Sequence, residues 1–231
     1  MTRRVAAMTD LNKVGRMPLE RAIGIAGLIG TVLLFGSVIA TSPREPPLDA
    51  TAAQATAYLR GLDKDWMRPV EVVGHLGMMA LLWFLVGLGL LLRRVEGDLP
   101  LRSTLATLSG VLVAAFVILD PSQDAATHRL ANLNSGQLVY AYESSTIGFT
   151  NAWLAMGSFA FASGWVITST RAMPRWLGWW GLLSGTTLGL APLIWTIGSV
   201  WVAPYAGFWL WLLTTCVWLV RRSPTAIAHT R

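Results

Sequence analysis

Residues 72–92 read VVGHLGMMALLWFLVGLGLLL, an apolar run without Asp, Glu, Lys or Arg. A helix needs about 20 apolar residues to cross a membrane, because each residue adds about 1.5 Å to a hydrocarbon layer about 30 Å thick. The run has this length, so we predict that it crosses a membrane as an α-helix. This one stretch decides the fold class of the chain.

Comparable runs recur along the whole chain. The predicted spans are residues 22–41, 72–92, 104–119, 149–168, 176–197 and 200–220. The composition agrees, since 54% of the residues are hydrophobic, 13% are charged and the mean hydropathy is +0.53. Too few polar side chains are present to cover a soluble globule of 231 residues. We predict an all-α fold, a polytopic membrane bundle of six transmembrane helices with short outer-surface helices.

Basic residues lie mainly on one side of this predicted bundle. They occur in the N-terminal arm 1–21, in the loops with Arg93, Arg94, Arg102, Arg171 and Arg175, and in the tail 221–231. An excess of Lys and Arg marks the cytoplasmic side, so we place both termini in the cytoplasm, flanking a membrane domain of residues 22–220. The net charge of +6 is therefore a signal of membrane topology. We expect no nucleic-acid partner. Only Lys13 and Lys64 are lysine, a bias that suggests a bacterial cytoplasmic membrane.

Two longer segments face outward in this topology, residues 42–69 and 120–148. In the first, Asp49 can cap an alanine-rich helix over residues 50–62. In the second, Asp120 followed by Pro121 is a helix-start signal, and a thin apolar stripe follows over residues 130–138. We expect short helices on the outer surface or capping the bundle, without an independent soluble domain.

Tryptophans fall near both predicted interfaces. Trp176, Trp179 and Trp180 lie at the inner one, and Trp66, Trp153 and Trp201 lie near the outer one. This distribution favours interfacial anchors, and the alternative is a ring stripe that lines a ligand pocket.

Ionisable residues inside a membrane are costly and therefore mark candidate sites. Glu71 and His75 open the second span four residues apart, on one helical face, and Asp120 ends the third span on the same side. These are the candidate catalytic residues, with Glu143 and Tyr205 as candidate ligand-binding residues around an outward-facing polar cavity. The structural alternative is a solvated Glu71, a His75 bonded to a neighbouring carbonyl and a capping Asp120.

The sequence predicts no metal or haem site. His128 and His229 lie outside the spans, so His75 has no partner histidine in the membrane, and Cys216 is the single cysteine. The cofactor is left unassigned.

Glycines in the first two spans have helix-packing spacing. Gly24, Gly27 and Gly30 lie in the first span, and Gly74 and Gly77 lie in the second. Small residues at such spacings let helix backbones approach closely, so we predict a packing role.

The turn MPRWLGWWGL at residues 173–182 opens the fifth span. This Pro-Arg-Trp-Leu-Gly turn resembles a family of uncharacterised six-span bacterial integral membrane proteins, a domain of unknown function. The order of spans, outer helical loop and final Trp-Leu before a basic tail is also similar. The resemblance implies the fold and the location and supplies no catalytic residues.

The favoured function is an accessory or interaction subunit, whose partners are the lipid bilayer and a membrane protein or a second copy of the chain. The rival is an intramembrane enzyme or binder of a lipid or other amphiphile at Glu71, His75 and Asp120. A small transporter ranks last, because the cytoplasmic halves of the spans hold no ionisable residue except Cys216.

Overall fold

The computed structural model describes residues 18–41, 51–62, 64–118, 127, 129–193 and 200–221. In these ranges the chain is helical and contains no β-strand, which confirms the all-α prediction. The helices are α1 (Leu19–Thr41), α2 (Ala52–Leu62), α3 (Met67–Glu96), α4 (Leu101–Ile118), α5 (Ser135–Thr170), α6 (Arg175–Leu190) and α7 (Val202–Arg221). Single 3₁₀ turns occur at Leu130–Asn132 and Ala191–Leu193.

Two helices begin at reciprocal caps. Thr51 precedes α2, where its amide donates to Oε1 of Gln54 (2.8 Å) and its hydroxyl accepts from the Gln54 amide (3.4 Å). Asn134 and Gln137 make the same pair of bonds at the start of α5, each 3.0 Å long. These boxes satisfy amide groups that the first helical turn leaves unpaired. The predicted cap Asp49 lies outside the described residues, and Thr51 takes its role.

The six longer helices form a closed ring in the order α1, α3, α4, α5, α6, α7 and back to α1. Neighbours in the ring run in opposite directions, and α5 also touches α3 and α7 across it. One end, here called the basic end, holds Arg93, Arg94, Arg102, Arg171, Arg175 and Arg221. The opposite end, here called the cap end, holds α2.

Glycines set the closest helix crossings. A Cβ on Gly30 of α1 would lie 2.8 Å from the carbonyl oxygen of Gly77 on α3. The α5–α6 pair is equally close, because a Cβ on Gly164 would lie 2.6 Å from the carbonyl oxygen of Gly178. Only glycine permits such backbone contact, so the predicted packing role is confirmed.

The centre of the ring is filled by large apolar side chains. The fully buried ones include Leu81, Phe84, Leu85, Leu88, Phe159 and Trp211. The Trp211 indole Nε1 donates to the Leu177 carbonyl (3.0 Å), so that this ring joins α7 to α6 without leaving its polar group unpaired. The centre of the described bundle is therefore mainly apolar.

Four helices are long and apolar enough to cross a membrane: α1, α3, α4 and α7. The chain is thus a helical membrane protein in its coarse architecture. The predicted fifth span, 176–197, is too long, because α6 ends at Leu190 and a 3₁₀ turn contains Pro192, which has no amide hydrogen to continue the helix. With 16 residues, α6 covers only about 24 Å. Helix α5 is long enough to cross a membrane, but its composition is more polar than that of these four helices.

The cap end carries a second, smaller hydrophobic cluster. Helix α5 has 36 residues and is about 54 Å long, so its first turns project beyond a layer about 30 Å thick. Helix α2 packs against these turns through Ala55, Tyr58, Leu59, Leu138, Ala141 and Tyr142. We call α2 with residues 135–146 the cap. The helix is continuous from Ser135, so the predicted fourth span, 149–168, is the later part of a longer helix.

Candidate functional site

Glu71 and His75 lie on α3 near the cap end, as the sequence predicts. The His75 Nδ1 is 2.9 Å from the main-chain carbonyl oxygen of Glu71. A carbonyl oxygen only accepts, so Nδ1 donates in this bond, and the imidazole stays exposed on the bundle surface. The structural alternative for His75, a bond to a neighbouring carbonyl, is the arrangement found.

The other predicted site residues lie on separate elements. Glu143 is exposed on α5 within the cap, Tyr205 is half-buried near the start of α7, and Asp120 lies outside the described residues. Apart from the His75 bond to the Glu71 main-chain carbonyl, no hydrogen bond or ion pair in the ranges that the structure describes connects Glu71, His75, Glu143 and Tyr205. The outward-facing polar cavity stays a prediction.

Tyr205 belongs to an aromatic cluster that also contains Phe149, Trp153, Trp201 and Trp209. Trp153 stacks on Trp201 with the ring centroids 5.3 Å apart and the planes 25° from parallel. Trp153 is 1% exposed, so its predicted role as an interfacial anchor is wrong. The sequence contains a signal for this cluster. Phe149 and Trp153 are four residues apart, as are Tyr205 and Trp209, which places each pair on one helical face.

A buried carboxylate organises the basic end. Glu96, whose side chain is 2% exposed, accepts from the amides of Arg102 (3.0 Å) and Ser103 (2.7 Å) at the start of α4. It also accepts from Nε of Arg102 (2.7 Å). The Arg102 guanidinium then donates to the Ser169 hydroxyl (2.9 Å) and lies 5.3 Å from the ring centre of Trp165. This network, here called the Glu96 clasp, connects α3, α4 and α5.

A groove of about 540 Å³ opens at the same end, between the α5–α6 turn and the end of α7. Its lining consists of Arg171, Ala172, Met173, Pro174, Arg175, Trp218 and Arg221. Three arginine residues therefore line one space together with apolar residues. The acidic residues described at this end, Glu20, Glu96 and Asp98, do not line it.

Local sequence places two of these arginines at helix ends. Arg171 caps α5 with φ 57° and ψ 27°, and its amide donates to the Ile167 carbonyl (2.9 Å). Pro174 then precedes α6, whose first residue is Arg175. Proline at this position fixes the backbone entering the helix and adds no unpaired amide hydrogen. The Pro-Arg-Trp-Leu-Gly turn thus builds one wall of the groove.

Metal binding has no support in the described ranges, where no three His, Cys, Asp or Glu side chains group together. Cys216 is fully buried on α7 beside Gly27 of α1. The arginine groove is a further polar feature of the described structure, and the sequence indicated its residues only as a topology signal.

No protein-family model, curated protein or solved structure matches this chain, so the resemblance carried by residues 173–182 stays a prediction.

Proposed function

We propose that the chain is a multi-pass protein of the bacterial cytoplasmic membrane that acts as an accessory or interaction subunit. The observation that carries this proposal is the filled core. Apart from the paired Glu96 side chain, no Asp, Glu, Lys, Arg or His side chain of the described ranges is buried inside the ring. A solute path or an intramembrane active site needs such groups, whereas a binding protein works through its surfaces.

Six spans with both termini in the cytoplasm are part of this proposal. Helices α5 and α6 occupy the same ring as the four helices of spanning length and alternate in direction with them. The short α6 is accommodated by local thinning of the bilayer, at a modest free-energy cost per ångström of mismatch. The arginines of the basic end support a cytoplasmic location for that end.

The cap is the surface that we assign to the partner. It extends a folded, two-helix surface beyond the membrane, with Tyr140 73% exposed and Glu143 exposed on the same helix. Exposed tyrosine supplies contact area at low entropic cost, and aromatic residues are enriched in protein interfaces. The partner is a membrane protein, because the cap is held close to the bilayer surface by α5.

The test is native mass spectrometry of the protein released gently from its own membranes. We expect a stoichiometric polypeptide, and we expect Tyr140→Asp to remove it. The matched control is Trp179→Phe, which changes an exposed ring at the opposite end (62% exposed) and should leave the complex intact. A wild-type protein that is always released as a lone monomer would contradict the proposal.

The rival function, an intramembrane enzyme or amphiphile binder, needs Glu71 and His75 to act together in a pocket. The exposed His75 and its bond to the Glu71 carbonyl do not favour that role. Full turnover of an amphiphile by wild type, lost in Glu71→Gln without loss of folding, would restore it.

A further inference from the structure

We propose that the groove between the α5–α6 turn and the end of α7 binds a phosphate ester, supplied by an anionic phospholipid of the adjoining leaflet. Arg171, Arg175 and Arg221 are the binding residues. This site is separate from the cap and does not depend on which protein the cap contacts.

The charge of the groove is the first argument. Three arginine residues line a groove of about 540 Å³, and the one ion pair in the described ranges, Glu96 with Arg102, lies elsewhere. Like charges held together repel each other, and an anion between them removes that repulsion. Guanidinium groups also bind phosphate oxygens through paired N–H donors, which makes arginine the preferred residue for such sites.

The backbone of Arg171 is the second argument. This residue has the one positive φ of a non-glycine residue in the described ranges, at the helix end where glycine is usual. A side chain at this position costs conformational free energy that glycine would avoid, and such costs concentrate at functional sites. The strained turn holds the Arg171 side chain over the same groove as Arg175.

The amide groups of α6 add to the attraction. The amides of Leu177 and Gly178 already donate to the Pro174 carbonyl, while the first amides of a helix have no partner within it. The start of α6, which borders the groove at Pro174 and Arg175, therefore carries partial positive charge.

The surroundings favour a lipid as the source of the phosphate. Arg221 is the last residue of α7, a helix of spanning length, so the groove lies at the depth of the lipid headgroups. Pro174 and Trp218, which are half-buried, give the groove apolar surface for the glycerol and the first acyl carbons. Trp176 and Trp179 on the neighbouring face of α6 are 53% and 62% exposed, as rings at a membrane interface are. Basic pockets between helices at this depth bind anionic headgroups.

The experiment compares two pairs of substitutions that remove equal charge. Full-length protein is purified in a zwitterionic detergent, and binding of phosphatidylglycerol and phosphatidylcholine is measured by native mass spectrometry. The groove pair is Arg175→Gln with Arg221→Gln. The control pair is Arg93→Gln with Arg94→Gln, which lie exposed at the same end outside the groove.

We expect wild type to bind phosphatidylglycerol more tightly than phosphatidylcholine. The groove pair should lower the phosphatidylglycerol affinity at least about tenfold, and the control pair less than about threefold. Equal losses in the two pairs would overturn the site, because they would reflect overall charge alone. Equal affinities of wild type for the two lipids would overturn it as well.

A third variant covers the case in which the groove pair fails to fold. Arg171→Gly removes one guanidinium and relaxes the backbone, so we expect it to fold, and its unfolding midpoint is measured beside its phosphatidylglycerol affinity. Unchanged affinity in Arg171→Gly would show that Arg171 does not belong to the site. The strain of its backbone would then not support the site either.

Inorganic phosphate distinguishes the two sources of the ligand. Added at matched ionic strength, it should leave phosphatidylglycerol bound, since the proposed lipid site also includes the apolar surface of Pro174 and Trp218. Displacement by phosphate in wild type, absent in the groove pair, would keep the phosphate-ester site and assign it to free phosphate.

Discussion

Gly30 and Gly77 meet backbone to backbone where α1 crosses α3, and each would place a Cβ within 3.0 Å of the carbonyl oxygen of the other. An added methyl group must therefore push the helices apart. We expect Gly30→Ala to destabilise the bundle by about 1–3 kcal/mol, the usual cost of overpacking.

Gly36 is the matched control for this crossing. It lies on the same helix, and a Cβ there would meet nothing within 4 Å. Gly36→Ala should be neutral or stabilising by up to about 1 kcal/mol, because alanine favours the helix. Unfolding midpoints in detergent, titrated with dodecyl sulfate, measure both variants. Equal destabilisation by the two would contradict the crossing.

Cys216 supplies an independent measure of unfolding. Its side chain is 0% exposed and packs beside Gly27, so a thiol reagent should modify it only after the helices separate. We expect labelling by a maleimide to follow unfolding in wild type and to begin at lower denaturant in Gly30→Ala. Rapid labelling of the folded wild type would show that α1 and α7 are not closed over the thiol.

The Glu96 clasp should contribute more to stability than the exposed Asp98 of the same loop does. Glu96→Gln keeps the size of the side chain, removes its charge and puts an amide donor opposite Arg102 and Ser103. We expect a loss of about 1–3 kcal/mol, the range for hydrogen bonds to charged groups and for donors left unpaired. Asp98→Asn, a charge change at an exposed position of the same loop, should cost less than about 0.5 kcal/mol in the same unfolding assay.

Substitutions of Arg171 distinguish an effect on lipid binding from an effect on the free energy of unfolding. Arg171→Gly relieves the positive φ of this residue, so the free energy of unfolding should stay constant or rise by up to about 1 kcal/mol. Arg171→Ala removes the same guanidinium and keeps the backbone strain, so it should be the less stable of the two. A destabilised glycine variant would show that the arginine side chain itself holds the turn.

The indole of Trp211 tests the contact between α6 and α7. Trp211→Phe removes the buried hydrogen bond to the Leu177 carbonyl, while that carbonyl keeps its bond within α6, so we expect a cost of about 0.5–1.5 kcal/mol. Trp179→Phe, at a ring that is 62% exposed, should change the unfolding midpoint little. Similar midpoints for the two variants would contradict a structural role for the buried hydrogen bond.

Hydropathy alone placed most of the helices, because an apolar run of spanning length has few alternatives. It placed the boundaries less well where another force decides them. Pro192 ends regular helix before residue 197, and α5 begins at Ser135 because its outer turns pack against α2 instead of lipid. A rule based on apolar runs does not detect a polar extension that is stabilised by a neighbouring helix.

The candidate site was less accessible to sequence reasoning. The positive-inside rule predicted that Arg171, Arg175 and Arg221 lie on the same side of the membrane. That they line one groove depends on how α5, α6 and α7 pack together, which the rule does not predict. Trp153 shows the same limit, since its burial depends on Trp201 and on residues of α7 far along the chain. Glu71 and His75 stood out because they are ionisable, which by itself does not determine the direction that a side chain faces.

The contact of α1 with α7 joins the first described helix of the chain to the last. Because the chain is synthesised from its N-terminus, Gly24 and Gly27 lack their contacts with α7 until Cys216 and Leu219 have been made. The ring closes only after α7 has been made. A chain that stops before α7 leaves the glycine face of α1 open, which gives quality-control proteases a feature that distinguishes unfinished molecules from finished ones.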